Sequence, residues 1–144
     1  MNSLVLKLTR RADNSAELHA SLKYSGFEGF GSCFLDVADF DKRAQCFALF
    51  PLPGDGSVCV EGGYLQDDMS GLAETHLHIS ALPEGSLGKI ALRIELATPD
   101  DRNISEFQAK LSCVIPATYE QLKNLSEAMI ALANGHGDEY TIEL

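Results

Sequence analysis

The sequence has no closely spaced cysteines, no long hydrophobic segment and few basic residues. Its four cysteines form no C-x-x-C pair, which is unlike a zinc finger or a dithiol redox centre. No apolar stretch approaches the roughly 20 residues of a transmembrane helix. Only 11 basic residues stand against 21 acidic ones, for a net charge of -10, and such a surface repels phosphate backbones and anionic lipids. We therefore expect no binding to nucleic acid or to membranes.

The sequence also lacks the common signatures of an enzyme active site. There is no G-x-S-x-G elbow, and the glycine-rich segment 26–31 lacks the Lys-Ser/Thr pair of a phosphate-binding loop. No cysteine lies in a sequence typical of a catalytic nucleophile, so we interpret Cys33, Cys46, Cys59 and Cys113 as free thiols. We expect a protein without catalytic residues and without a cofactor.

Length and composition are those of one folded domain. A chain of 144 residues that is 45% hydrophobic can bury its own core, so we predict one domain spanning residues 1–144. Arg10 and Arg11 follow the first apolar run instead of preceding it, which is the reverse of a signal peptide. Together with the free thiols, this order favours a cytoplasmic location.

Alternation of apolar and polar residues is the dominant pattern. It predicts half-buried strands, each with one face in the core and one in water, as in antiparallel sheets. The long strands are predicted at residues 4–8, 18–24, 90–96, 107–115 and 140–144, and shorter ones at 29–35, 57–64 and 74–82. Pro83-Glu84-Gly85 predicts a hairpin between two of them.

Two segments change to helical spacing. The first covers residues 37–48, with Asp36 or Asp39 as N-cap. The second follows Thr118, whose spacing to Gln121 matches a capping box, and ends at Asn134-Gly135. The order of three strands, helix, four strands, helix and strand predicts an α+β fold. We expect a mainly antiparallel sheet of about 7–8 strands with two amphipathic helices packed on it, the last strand lying beside a distant one.

Thr75-His76-Leu77-His78 is the segment most suggestive of metal binding. In a strand, His76 and His78 point to the same side. Two imidazoles on one face supply half of a metal site, which Asp67, Asp68, Glu74 or His19 would complete. The alternative is that both histidines are polar residues on the solvent face of a strand whose other face is in the core.

Two carboxylate pairs, Asp67-Asp68 and Asp100-Asp101, fall in predicted loops. Solvated side chains explain them, and binding of a cation or of a partner is the alternative. The segment 66–73 is the longest stretch without periodicity in the middle of the chain. Loops carry function more often than core strands do, which draws attention to these acids.

Two further segments resemble a known group of proteins. Residues 26–36 read G-F-E-G-F-G-S-C-F-L-D, followed by V-A-D-F and by a helix that ends F-P-L-P, and residues 118–122 read T-Y-E-Q-L. This layout resembles uncharacterised families of small acidic bacterial proteins that are grouped with the immunity proteins of toxin systems. The resemblance implies a non-enzymatic binder that masks a toxin domain, with no shared catalytic residues.

The resemblance and the net charge lead to our first hypothesis, a protein-binding module, and in its most concrete form an immunity-type inhibitor of a cationic toxin domain. An acidic surface would steer a basic partner. We expect the contacts at the loop acids, which are Asp67, Asp68, Glu74, Asp100 and Asp101. A second hypothesis is a small-molecule or metal-binding protein, or a metal-dependent enzyme, that uses His76 and His78. A third is an assembly subunit that pairs through an exposed strand edge.

Overall fold

A computed structural model describes residues 1–85, 87–99 and 108–144. Within these ranges the order of elements is the predicted one. The strands are β1 (Ser3–Arg10), β2 (Ser15–Tyr24), β3 (Phe27–Asp36), β4 (Cys59–Leu65), β5 (Leu72–Glu84), β6 (Lys89–Ala97), β7 (Lys110–Ala117) and β8 (Glu139–Glu143). The helices are α1 (Val37–Cys46), between β3 and β4, and α2 (Tyr119–Ala133), between β7 and β8. Neither is both long and apolar enough to cross a membrane.

The strands form two antiparallel sheets of four strands each. The first sheet has the order β3-β2-β1-β8 and the second has the order β4-β5-β6-β7. The predicted α+β class with a mainly antiparallel arrangement is thus confirmed. β8 pairs with β1, so the last strand of the chain lies beside the first, as its position after a helix predicts.

Local sequence explains where the elements meet. Asp13 and Asn14 both have positive φ and lie at the centre of the tight turn between β1 and β2, which is closed by a hydrogen bond from the Ser15 N–H to the carbonyl of Ala12. The predicted hairpin after Pro83 joins β5 to β6, and Glu84 lies opposite Lys89. β5 therefore continues through Pro83, which is tolerated because β4 begins opposite Ser80 and leaves that side of the proline without a strand.

Both helices begin at the predicted caps. The Asp36 carboxylate accepts a hydrogen bond from the Asp39 backbone N–H at 2.9 Å, so Asp36 is the cap of α1. Thr118 and Gln121 form the complete capping box of α2. The helices pack against each other, and the buried Ser126 hydroxyl donates to the carbonyl of Ala44 at 2.8 Å.

The two sheets approach each other closely at β3. A Cβ atom on Gly31 would lie 2.3 Å from the backbone oxygen of His76, and one on Gly62 would lie 2.6 Å from Cβ of Cys33. Only residues without a side chain permit these contacts, with backbone at Gly31 and with the Cys33 side chain at Gly62. The two sheets and both helices share one apolar core, so the face of the second sheet that points away from it is left for polar groups.

Candidate functional site

The outer face of the second sheet carries the two histidines that the sequence analysis singled out. Alternation along β5 places Leu77, Ile79 and Ala81 in the core, and therefore turns His76 and His78 to the opposite side. The solvent face was one expectation for both. His76 is instead only 4% exposed, because the ring of Tyr64 packs edge-on against it with 4.6 Å between centroids.

His78 belongs to a group of three side chains with different donor atoms. Its Nδ1 lies 3.0 Å from Oε2 of Glu61 and 3.7 Å from Sγ of Cys59. These three atoms all lie within 4.8 Å of one another. The other ring nitrogen, Nε2, lies 2.9 Å from the Ser80 hydroxyl. We call Cys59, Glu61 and His78 the Cys–Glu–His cluster.

Strand register produces the cluster. In the ladder between β4 and β5, Glu61 lies opposite His78 and Cys59 lies opposite Ser80. Because side chains alternate along a strand, Cys59 and Glu61 emerge on the same face, two residues apart. Directly opposite side chains in an antiparallel pair have Cβ atoms roughly 5 Å apart, so all four residues meet on the outer face of the sheet.

His76 has a separate set of contacts. Its Nε2 lies 2.7 Å from Oε1 of Glu74, and the same carboxylate oxygen accepts a hydrogen bond from the Gln108 amide at 2.8 Å. The predicted metal site joined His76 to His78. Among the described residues, His78 converges with Cys59 and Glu61 instead, while His19 lies on the first sheet, stacked on Phe30.

Burial controls the protonation of Cys59. The side chain is 8% exposed, and burial, with a smaller contribution from the Glu61 charge, raises the pKa of its thiol to about 11 against the opposing effect of Arg43. Arg43 is itself held by Asp39, with 2.8 Å between Nε and Oδ2, and its Nη1 donates to the carbonyl of Cys59 at 3.4 Å. Cys59 is therefore a neutral thiol near pH 7.

The arrangement differs from a catalytic cysteine triad. In such a triad the cysteine contacts one nitrogen of the histidine ring and an acid or amide orients the other. Here Cys59 and Glu61 both lie at Nδ1 of His78, and Nε2 faces Ser80. Together with the raised pKa of Cys59, this geometry does not produce a nucleophilic thiolate. Its three potential ligand atoms lie within 4.8 Å of one another, close enough to share a metal ion.

The predicted acidic loop forms the connection between β4 and β5. We call residues 65–74 the hairpin end. Asp67 and Asp68 are exposed there beside two exposed apolar side chains, Leu65 at 48% and Met69 at 69%. Hydrogen bonds from the hydroxyl and the backbone N–H of Ser70 hold the pKa of the Asp68 carboxyl below its ordinary value.

The other predicted acidic pair is connected to the same end of the sheet. In the strand order β4-β5-β6-β7, successive hairpins alternate between the two ends, so the β6–β7 connection leaves from the end that carries the β4–β5 hairpin. Gln108 confirms this placement, since its amide donates both to Glu74 and to the carbonyl of Thr98. Asp100 and Asp101 themselves lie outside the described residues.

Cys59 and Glu61 were not predicted to be members of a site. The segment Cys59-Val60-Glu61 does carry a signal, two potential metal ligands at the spacing that places them on one face of a strand. It does not indicate which strand pairs with this segment, or in which register. Nothing in the spacing from Glu61 to His78 indicates that the two residues are directly opposite each other.

We compared the chain with known protein families, with curated proteins and with solved structures, and none of them matches it.

Proposed function

We propose that this protein is a non-enzymatic, cytoplasmic protein-binding module, and in its most concrete form an immunity-type inhibitor of a cationic toxin domain. The observation that carries the proposal is the composition of the hairpin end. It combines Asp67 and Asp68 with exposed Leu65 and Met69, and residues 65–74 contain no lysine or arginine.

This combination suits a basic partner. Exposed apolar side chains at the centre of an interface supply most of the binding energy, while surrounding charges choose the partner and speed the encounter. The hydrogen bonds from Ser70 that lower the pKa of Asp68 favour the charged form of this carboxylate. The overall net charge of -10 adds long-range attraction for a cationic protein.

Glu74 extends the surface toward the second predicted acidic loop. Its hydrogen bond with Gln108 ties the hairpin end to the residues that flank segment 100–107. Of the five predicted contact residues, Asp67 and Asp68 lie in the β4–β5 connection and Glu74 lies at the start of β5, while Asp100 and Asp101 lie between β6 and β7 in the sequence, outside the described residues.

The experiment is capture of partners from a lysate of the source organism with tagged protein, at low and at high salt. We expect one stoichiometric basic protein whose retention falls with added salt. The double variant Asp67→Asn, Asp68→Asn should weaken retention at low salt. Asparagine keeps the acceptor oxygen for the Ser70 N–H, so the local turn is preserved.

The matched control is Glu127→Gln combined with Glu139→Gln, which removes the same charge from α2 and β8, remote in the fold from the hairpin end. It should retain the partner nearly as well as the wild type. If both double variants lose retention equally, the effect depends on net charge and not on the hairpin end. Unchanged retention in the Asp67, Asp68 variant would remove the hairpin end from the interface.

A further inference from the structure

We propose that the Cys–Glu–His cluster is a binding site for a zinc-class divalent cation, with Cys59, Glu61 and His78 as its three protein ligands. This site is independent of the proposed partner surface, because it lies on the outer face of the second sheet and not at the hairpin end. It also uses a different set of residues from the pair His76 and His78.

Donor chemistry supports a metal of this class. A thiolate, an imidazole nitrogen and a carboxylate oxygen are the three ligand types that zinc takes in proteins. Together the ionised ligands carry two negative charges, which a divalent cation neutralises. The charge of the neighbouring Arg43, which acts on both Cys59 and Glu61, is partly offset by Asp39, which pairs with it at 2.8 Å.

Distances in the cluster are close to those of a tetrahedral site. Zinc bonds of about 2.3 Å to sulfur and about 2.0 Å to nitrogen and oxygen place neighbouring ligand atoms roughly 3.3–3.6 Å apart. Nδ1 of His78 is 3.7 Å from the Cys59 sulfur and 3.0 Å from the Glu61 oxygen. The third distance, between the sulfur and the carboxylate oxygen, is within 4.8 Å, and the half-exposed Glu61 side chain has room to rotate toward a shared ion.

The orientation of His78 fits a metal ligand. A ligating histidine usually holds its second ring nitrogen on a hydrogen-bond partner, which fixes the ring and its tautomer. Nε2 of His78 faces the Ser80 hydroxyl at 2.9 Å. Because a hydroxyl both donates and accepts, Ser80 can take the Nε2–H bond and leave the Nδ1 lone pair to the metal.

The position of the Cys–Glu–His cluster on the sheet limits how many protein ligands a bound ion can have. Cys59 and His78 are largely covered, whereas the Glu61 side chain is 46% exposed. With three protein ligands on one side, the fourth position of a tetrahedral ion faces solvent, where water binds. The site would also link edge strand β4 to its neighbour β5, since two ligands come from one strand and the third from the other.

The test uses the full chain, stripped of metal under reducing conditions, with zinc chloride followed by calorimetry and cobalt chloride by absorption. We expect one equivalent to bind, a thiolate-to-cobalt charge-transfer band, and a higher melting temperature with zinc. Cys59→Ser and His78→Ala should each abolish the band or weaken zinc binding by at least about 100-fold. Ser80→Ala should cost roughly 10–100-fold, as losses of supporting hydrogen bonds do.

Matched controls separate this cluster from other ligands on the surface. Cys46→Ser on α1 and the exposed His136→Gln remove the same residue types elsewhere and should bind like the wild type, as should His76→Gln. Glu61→Gln changes only a half-exposed side chain, so it tests the site even where a Cys59 variant folds poorly. Absence of a cobalt–thiolate band, or zinc binding unchanged by Cys59→Ser and Glu61→Gln, would overturn the proposal.

Discussion

Glu61 and His78 lie directly opposite each other in the ladder between β4 and β5, with 3.0 Å between the carboxylate oxygen and Nδ1. They are 17 residues apart in sequence. Cys59 joins them because it precedes Glu61 by two residues, so both side chains lie on the same face of β4. The register of a single hairpin therefore assembles three potential metal ligands from two unrelated sequence segments.

The raised pKa of Cys59 predicts slow alkylation in the folded protein. At pH 8, a thiol with a pKa of about 11 is roughly 0.1% thiolate, against roughly 10% for one near 9. We expect iodoacetamide to modify Cys59 about 100-fold more slowly in the metal-free native protein than in denaturant, measured by peptide mass spectrometry. Comparable rates in the two states would show that burial does not suppress its ionisation.

The raised pKa of the Cys33 thiol predicts that the protein loses stability at alkaline pH. Burial, followed by the Glu17 charge, raises the pKa of Cys33 from 9.0 to about 12 in the folded protein. The folded state then holds this proton more tightly than the unfolded state. Its contribution is complete below pH 9 and is lost as the pH rises toward 12, at up to about 1.4 kcal/mol per pH unit.

The measurement is urea unfolding from pH 8 to pH 10.5 for the wild type and for Cys33→Ala. Lysine and tyrosine side chains titrate in both proteins, so the difference between them isolates Cys33. The free energy of unfolding should fall less steeply in the variant. Two parallel curves would contradict the prediction.

Adding one methyl group at Gly31 should strongly lower the free energy of unfolding. The added Cβ would lie 2.3 Å from the backbone oxygen of His76 and 3.2 Å from the backbone nitrogen of Ala97. Since neither backbone atom can move without shifting its sheet, Gly31→Ala should cost more than about 2 kcal/mol in urea unfolding.

Gly71→Ala is the matched control, because a Cβ there meets no atom within 4 Å. Its unfolding free energy should stay within about 1 kcal/mol of the wild type. If both alanine variants unfold at the same urea concentration, the sheets do not approach each other at β3 as closely as described.

Removing the Thr118 cap at the start of α2 should have a smaller effect on stability. Its hydroxyl accepts from the Gln121 N–H at 3.1 Å, and the Gln121 side chain accepts from the Thr118 N–H at 2.9 Å. Thr118→Ala should lower the free energy of unfolding by about 1 kcal/mol. Thr118→Ser keeps the hydroxyl and should restore most of the loss, and equal losses in both variants would argue against the capping role.

Much of the fold is predictable from local sequence. Alternation along β1 and β2, the caps at Asp36 and Thr118, and the stop at Asn134-Gly135 depend on residues a few positions apart. These signals predict the elements, their order and the α+β class. The last strand was predicted beside a distant one, and its pairing with β1 confirms this.

The candidate sites are likewise only partly predictable from local sequence. Asp67 and Asp68 were predicted in a loop, and the structure places them in the exposed hairpin end. That the β6–β7 connection leaves from this same end follows from strand order. For His78, the sequence predicts the side of the strand, but its partners were expected among Asp67, Asp68, Glu74 and His19.

The sequence by itself determined which residues form strands and helices, where they are capped, and which side chains share a face, because these depend on short-range sterics and hydrogen bonds. Only the tertiary structure decided that the strands form two sheets, and that Cys59 and Glu61 lie against His78. Pairing partners are chosen by long-range packing and register, such as the close contact of Gly31 with the backbone of His76. A metal-ligand set assembled by such pairing has no signature in any single segment of the chain.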